Sequence, residues 1–497
     1  MKNNLKYILV VVFFATISAC NEDEFLEKKY VNSIVDINFL TIPTHADQAV
    51  TGIYDALGYQ GLWKWDRIIL GSSSSDEIVE DHGDPGWADL ISIDKYRWQP
   101  DNKHIWRHWT DNYAGILMAN SVIQKVPSIK DMDTELAKRY VAEAKALRAL
   151  FYYNLVTAHG DVPLLTEPIG PDKAKNLTRE PAQNVWNLII KDLTEAETDL
   201  PATYSSTDDR GRVTKGFANA MLSTVYLWQK DYTNALNAGI KVKESNLYQL
   251  EKSYADLFNG VKEFSSERIF GINCASGIGG DMWNRRKDEG NRNYLWGPYF
   301  SWSWFTQPAR DFVDREELAG DIRIDTMVLD MRKGETYDKN HDGKITEEDA
   351  IPANPPVDCH NMKLVPLNDN LNDGKIWSGE LDYVDIMIMR YAEVELNIAE
   401  ALVNLNRASE ALPYINDIRK RAGLANVVST DKALLESTIL HERMVEFCFE
   451  GKRFFDLKRV GKLKDFLGPL GWTDKNVVFP IPQKEIDLTK MKQSEGY

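Results

Sequence analysis

Residues 442–459 read Glu442-Arg443-Met444-Val445-Glu446-Phe447-Cys448-Phe449-Glu450-Gly451-Lys452-Arg453-Phe454-Phe455-Asp456-Leu457-Lys458-Arg459. Arg443, Glu446, Glu450, Arg453 and Asp456 alternate in sign at helical spacing, while Phe447, Phe449, Phe454, Phe455 and Leu457 supply packing surface. Charges and rings interleaved in this way predict two helix ends locked together by an ion network. The competing reading is the acid/base pair of a glycosidase, which needs two carboxylates at one of two set separations across a bond. Sequence carries no such distance, and a setting between two predicted helices favours the structural role.

Working outward, the C-terminal third predicts helices over Ile386 to Leu405, Ala408 to Ala422, Ala433 to Glu450 and Arg453 to Leu463, with Gly423 and Gly451 at plausible ends. Upstream, apolar residues recur every three or four positions over Asp47 to Leu57, Ile105 to Val126, Glu135 to Ala158, Asn184 to Leu200, Lys215 to Gln229 and Tyr232 to Val242. Two places share a local pattern, Leu227 to Leu236 and Leu402 to Leu412, and both look like the turn of a tetratricopeptide helix pair. A small alanine on the second helix lets the pair approach closely, while bulky residues before the turn fill the groove. The two copies lie too far apart for a simple solenoid. Between them, residues 245–385 are rich in Gly, Asn, Asp and aromatics and predict loops, short strands and short helices over a helical frame.

The N-terminus predicts an address. Lys2 and Lys6 precede an apolar run from Tyr7 to Ile17, then Ser18-Ala19 leads into Cys20. That is the layout of a secretory signal, and the run is shorter than the ~20 residues of a spanning helix. Ile17-Ser18-Ala19-Cys20 resembles a bacterial lipobox, which makes Cys20 the expected lipidation site; Asn21-Glu22-Asp23-Glu24 resembles the export tag of surface lipoproteins in Bacteroidetes. Removing residues 1–19 takes away both lysines and moves the formal charge from −16 to −18. Such a balance argues against nucleic acid and against a polybasic membrane patch, both of which need clustered Lys and Arg. Beyond Cys20 there are Cys274, Cys359 and Cys448, too few for a disulfide scaffold; Cys448 is predicted buried, which leaves a Cys274–Cys359 bridge open. Hydrophobic content of 43% over so long a chain is enough for a large core, so packing is expected to carry stability.

Five ordered blocks resemble one family. Ala142-Glu143-Ala144-Lys145-Ala146-Leu147-Arg148-Ala149-Leu150-Phe151-Tyr152-Tyr153, running on to His159-Gly160-Asp161-Val162-Pro163-Leu164, is similar to the helix and turn of SusD/RagB-like lipoproteins. So are Gly211 to Gly216, Arg390-Tyr391-Ala392-Glu393 through Arg421-Ala422-Gly423-Leu424, Glu442 through Arg459, and Phe479-Pro480-Ile481-Pro482-Gln483-Lys484-Glu485-Ile486-Asp487. The resemblance implies a mostly α, SusD-like fold in which tetratricopeptide-like helix pairs form a scaffold capped by a loop-rich region. The layout expected is a signal peptide over 1–19, an acylated N-terminus and linker over 20–35, and an N-terminal helical part over 36–244. A ligand-facing region over 245–385 and a C-terminal helical part over 386–497 complete it. The resemblance also implies a nutrient-binding lipoprotein of the outer membrane that captures oligosaccharides and passes them to a SusC-type TonB-dependent transporter.

Sugar binding has its own physical signature, because the apolar C–H face of a pyranose stacks on the negative face of Trp or Tyr. One aromatic group comprises Trp63, Trp65, Trp87 and Trp98, and another comprises Trp283, Tyr294, Trp296, Tyr299, Trp302 and Trp304. Trp106 and Trp109 fall in a helical pattern and read as core. Trp87 follows the loop Asp81-His82-Gly83-Asp84-Pro85-Gly86, and Trp283 to Trp304 is interspersed with Arg285, Arg286, Asn291, Arg292 and Asn293. The candidate glycan residues are therefore Trp65, Trp87, Trp98, Trp283, Tyr294, Trp296, Arg292 and Asn293; a small core beneath long loops is the competing use of the same rings.

A second motif is specific by spacing. Asp338-Lys339-Asn340-His341-Asp342-Gly343-Lys344-Ile345-Thr346-Glu347-Glu348-Asp349 fits the twelve-position calcium loop, with Asp338, Asn340, Asp342, the Lys344 carbonyl and Asp349 as candidate ligands and Gly343 at the sharp turn. Asp349 replaces the usual Glu, as dockerin-type loops also do. The expected cofactor is a structural Ca2+. No Gly-rich phosphate loop, HExxH helix or nucleophile elbow is present. A binding protein rather than an enzyme is expected, with a glycoside hydrolase or lyase, or a peptide-binding importer subunit, as the alternatives.

Overall fold

A computed structural model describes residues 40–80, 87–258, 262, 264–273, 307–315, 318–330, 359–361, 363 and 385–497. The N-terminal half contributes α1 (Pro43–Ala56), α2 (Asp66–Ser72), α3 (Ala88–Asp94), α4 (Lys103–Lys125), α5 (Thr134–His159), α6 (Ala182–Asp199), α7 (Lys215–Trp228) and α8 (Tyr232–Glu244). Short side-chain caps start the longer ones: the Asn102 carboxamide accepts from His104 and Ile105, Asp133 from Leu136, Thr214 from Phe217 and Asp231 from Asn234. Helix packs on sequential helix from α4 through α8; the short α9 (Ile322–Met327) follows in the chain, and α8 packs on α10 (Tyr391–Asn404), whose partners are α11 (Ala408–Arg421) and α12 (Lys432–Glu446). Each of the two predicted tight turns joins a packed pair, α7 with α8 and α10 with α11, and Ala235 and Ala411 behind those turns are fully buried. Lys230 and Asn406 take positive φ at equivalent places in the two turns. The mostly helical fold class expected from periodicity is the one observed.

Helix boundaries differ from expectation mainly in the C-terminal third. Ile386–Arg390 is a buried strand, not the first turn and a half of a helix, and it pairs antiparallel with Arg268–Ile272. A short apolar run with no polar face cannot be assigned by period, and here the partner strand decided it. Helix α12 stops at Glu446 and not Glu450, because Phe449 and Gly451 both take left-handed backbone. The last predicted helix breaks into α13 (Arg453–Arg459) and α14 (Leu463–Leu467). Cys448 is buried as expected, and Cys359 is buried in the strand Cys359–Asn361; Cys274 lies outside the described residues.

The fold-deciding block behaves as its charge pattern predicts. Arg390, fully buried, donates to Glu267 at 2.7 Å, to Glu450 at 2.9 Å and to Glu446. Arg323, also fully buried, donates to Asp321, to Glu442 at 2.8 Å and to Glu446 at 2.9 Å. Arg421 bridges Glu267 and Glu446, and Lys363 donates to Glu450 and the Cys448 carbonyl. Burial alone would raise the Glu446 carboxyl, but Arg421, Arg390 and Arg323 outweigh it and hold it well below the carboxylate range. The sequence pattern showed only part of this network, since its cations Arg323, Lys363, Arg390 and Arg421 and its acids Glu267 and Asp321 come from outside 442–459. These carboxylates are enclosed and arginine-bound, which is a structural setting and not that of an open acid/base pair.

Close backbone packing fixes the same junction. A Cβ on Gly71 would sit 1.8 Å from the Gly451 carbonyl oxygen, so α2 reaches the 451 turn only because both residues lack side chains. Gly71→Ala is expected to cost about 3 kcal/mol of unfolding free energy through forced displacement of that backbone; a denaturant melt unchanged within about 0.5 kcal/mol would show that the junction yields easily.

Candidate functional site

The site worth building is the surface around Trp65 and Trp87. Chain 60–65 leaves α1 and re-enters helix at Asp66 through a wide turn, Gln60–Lys64, in which Leu62 departs from helical geometry. Gly61 makes the turn feasible: a Cβ there would lie 2.2 Å from the Arg107 carbonyl oxygen. Its N–H donates to Asp111 at 2.8 Å, tying the turn to α4. On the far side of Trp65, Asp66 is fully buried and accepts two 2.7 Å bonds from Arg107, with His104 Nδ1 at 2.7 Å. Burial would raise the Asp66 carboxyl, but Arg107 and His104 together pull it below its ordinary value, so it stays ionised and holds both partners. Trp65 is thus held between a tied turn at Gly61 and an anchored Asp66.

Trp87 stands at the residue before α3. Its ring lies parallel to that of Trp65, with 6.4 Å between centroids and 3° between planes. Both rings are half-buried and rest against the second apolar cluster, which includes Leu90, Trp98, Phe454 and Phe479. The Lys103 ammonium lies over the Trp87 ring, 5.3 Å from its centroid, and 3.9 Å from the Asp89 carboxylate, and those two side chains are 41% and 40% exposed. Two parallel indoles, with the Lys103 ammonium over one of them and Asp89 paired to that ammonium, can stack on an apolar ring face while the charged pair reads hydroxyls.

Trp98 does not belong to this surface. It has no exposed area, its indole N–H donates to the Ile93 carbonyl at 2.9 Å, and its ring stacks on Phe479 at 4.0 Å. A ring enclosed on every side offers no platform, so Trp98 is corrected from candidate ligand residue to core. Trp63 is likewise buried. Trp109 is core as expected, whereas Trp106 is half-exposed beneath the Lys484 ammonium at 3.8 Å. Trp283, Tyr294, Trp296, Arg292, Asn293, the loop residues Asp338, Asn340, Asp342, Lys344 and Asp349, and Cys20 lie outside the described residues. Lys103 and Asp89 were not singled out by sequence, because one charged residue per helical turn is ordinary surface composition.

Comparison with known proteins settles the family. Residues 241–469 match the SusD family model, and residues 24–227 match a second model described as starch-binding, associating with outer membrane. The chain belongs to the SusD family. Among curated SusD-like proteins, P38 of Formosa agariphila is 28% identical, with 100% of this chain and 99% of that protein aligned. The starch-binding protein SusD of Bacteroides thetaiotaomicron is 26% identical over 82% of this chain and 81% of its own length. Among solved structures, a laminarin-binding SusD-like protein superposes with a TM-score of 0.78 at 27% identity, covering 92% of this chain and 100% of that one. The SusD-like fold expected from the five sequence blocks is therefore the observed one.

Proposed function

We propose that this SusD-family chain is a cell-surface glycan-binding lipoprotein that captures an oligosaccharide and delivers it to a SusC-type TonB-dependent transporter. The observation that carries the reading is the parallel Trp65–Trp87 pair, with the Lys103–Asp89 ion pair beside Trp87, in a chain similar along its length to a laminarin-binding and a starch-binding protein. Trp283, Tyr294, Trp296, Arg292 and Asn293 are proposed as further glycan-binding residues, and no catalytic step is assigned to any of them. Isothermal titration of residues 21–497 against laminarin and starch oligosaccharides tests it. Saturable heat with the glycan recovered intact supports the reading; a shortened glycan would make the protein an enzyme.

The tether is part of the proposal. Cys20 carries the lipid, and among the described residues no helix is long and apolar enough to cross a membrane. Cys20→Ala is expected to leave binding in solution unchanged while surface retention, read by protease accessibility on whole cells, is lost. The loop from Asp338 to Asp349 is proposed to hold a structural Ca2+. Asp338→Ala with Asp342→Ala is expected to lower the melting temperature by about 3 °C in calcium and by nothing in chelator. A wild-type melting curve indifferent to calcium would reduce the loop to a turn.

A further inference from the structure

Where α2, α5, α7, α10 and α13 meet lies a cavity of about 50 Å³ that glycan capture does not use. Its polar wall includes Arg67, Glu393, Arg443, Lys452, Asp456 and Arg459. A buried water needs ~10–15 Å³ of such space, so there is room for about three waters, or for one small ion with part of its hydration. The carboxylates on the wall are already engaged. Glu393 accepts from Lys452 and lies 3.5 Å from Arg443; Asp456 accepts from Arg443 at 2.9 Å and Arg459 at 2.8 Å. Glu450, which also reaches the wall, accepts from Arg390 at 2.9 Å and Lys363 at 2.7 Å.

Arg67 is the exception. It is 6% exposed, its Nε donates to Asn154 at 3.2 Å, and its guanidinium covers the Phe455 ring at 3.8 Å, but its buried Nη1 meets no acceptor. Burial pushes its pKa down to about 10, against the pull of Tyr153 and Glu393, and at neutral pH it remains charged. Of the four cations on the wall, Lys452 pairs with Glu393, Arg443 with Asp456, and Arg459 with Asp456 and with Glu400 behind the wall, so among the described residues Arg67 alone has no carboxylate partner. An unbalanced charge out of water is costly, and water can satisfy the hydrogen bond of Nη1 without supplying a counter-charge.

We propose that this cavity is a binding site for a small monovalent anion of the halide class, held by Arg67 and placed where α2 and α13 join the paired helices. The anion neutralises the junction from inside, independently of any glycan at Trp65 and Trp87. Two measurements test it on residues 21–497. In thermal melts at equal sodium concentration, chloride is expected to raise the melting temperature by about 2 °C over gluconate, which is too large for the cavity, and Arg67→Gln is expected to abolish that difference. Crystals of the wild type soaked in sodium bromide are expected to give an anomalous peak beside the Arg67 guanidinium; this holds whether or not the Gln variant folds. Equal melting in the two salts and no bromide peak would overturn the proposal and leave the cavity to water alone.

Discussion

Glu446→Ala is expected to destabilise the protein by about 3–5 kcal/mol, the largest effect of any single substitution considered for its stability. Glu446 is completely buried and accepts from Arg390, Arg323 and Arg421, which arrive from a strand end, a short helix after residue 320 and the end of α11. Removing the carboxylate takes a shared partner from three buried guanidiniums, leaving Arg421 with Glu267 alone, Arg390 with Glu267 and Glu450, and Arg323 with Asp321 and Glu442, and none of them can shed its proton. A leucine in the same place restores volume and leaves the same excess of buried positive charge, so Glu446→Leu is expected to fare no better. Glu446→Gln keeps the acceptor oxygen and should recover part of the loss. Denaturant unfolding of the three variants checks the order; a neutral Glu446→Ala would mean that the remaining carboxylates, Glu267, Glu442 and Glu450, suffice for the arginines.

The second large effect concerns ligand. Trp87→Ala is expected to weaken glycan affinity roughly 30-fold, about 2 kcal/mol, the size typical of a buried aromatic anchor in an interface. Trp65→Ala should weaken it comparably and also lower stability, since Trp65 packs against both large apolar clusters while Trp87 touches one. Trp98→Phe is the informative control. Trp98 faces only Phe454, Phe479, Tyr96 and their neighbours, so its replacement should change the melting temperature and leave affinity alone. Affinity lost in Trp98→Phe but kept in Trp87→Ala would move the site elsewhere.

How far the sequence could be read depended on what kind of information each feature needs. Helices α4 to α8 and α10 to α12 were legible because an amphipathic period is a local property, repeated over several turns. The strand Ile386–Arg390 was not, because its identity lies in its partner Arg268–Ile272, more than a hundred residues away. Glu446 and Glu450 announced an ion network, yet Arg323, Arg390 and Lys363 could not be named as its cations without the fold. Within the candidate site, Trp87 was legible from the loop composition before it. Trp98 was misread for a related reason: nearness in sequence to Trp87 says nothing about which ring turns inward, and only the fold places Phe479 against its face. The clamp on Trp65 was invisible, since Gly61, Asp66, Arg107 and Asp111 are unremarkable residues until α4 crosses the turn.

Isothermal titration of the wild type and Trp87→Ala, both as residues 21–497, with laminarin and starch oligosaccharides tests the central claim most directly. The account predicts saturable binding of intact glycan by the wild type and roughly 30-fold weaker binding by the variant, which remains folded. Wild-type affinity retained by a folded Trp87→Ala protein, or release of shortened sugars from either, would contradict it.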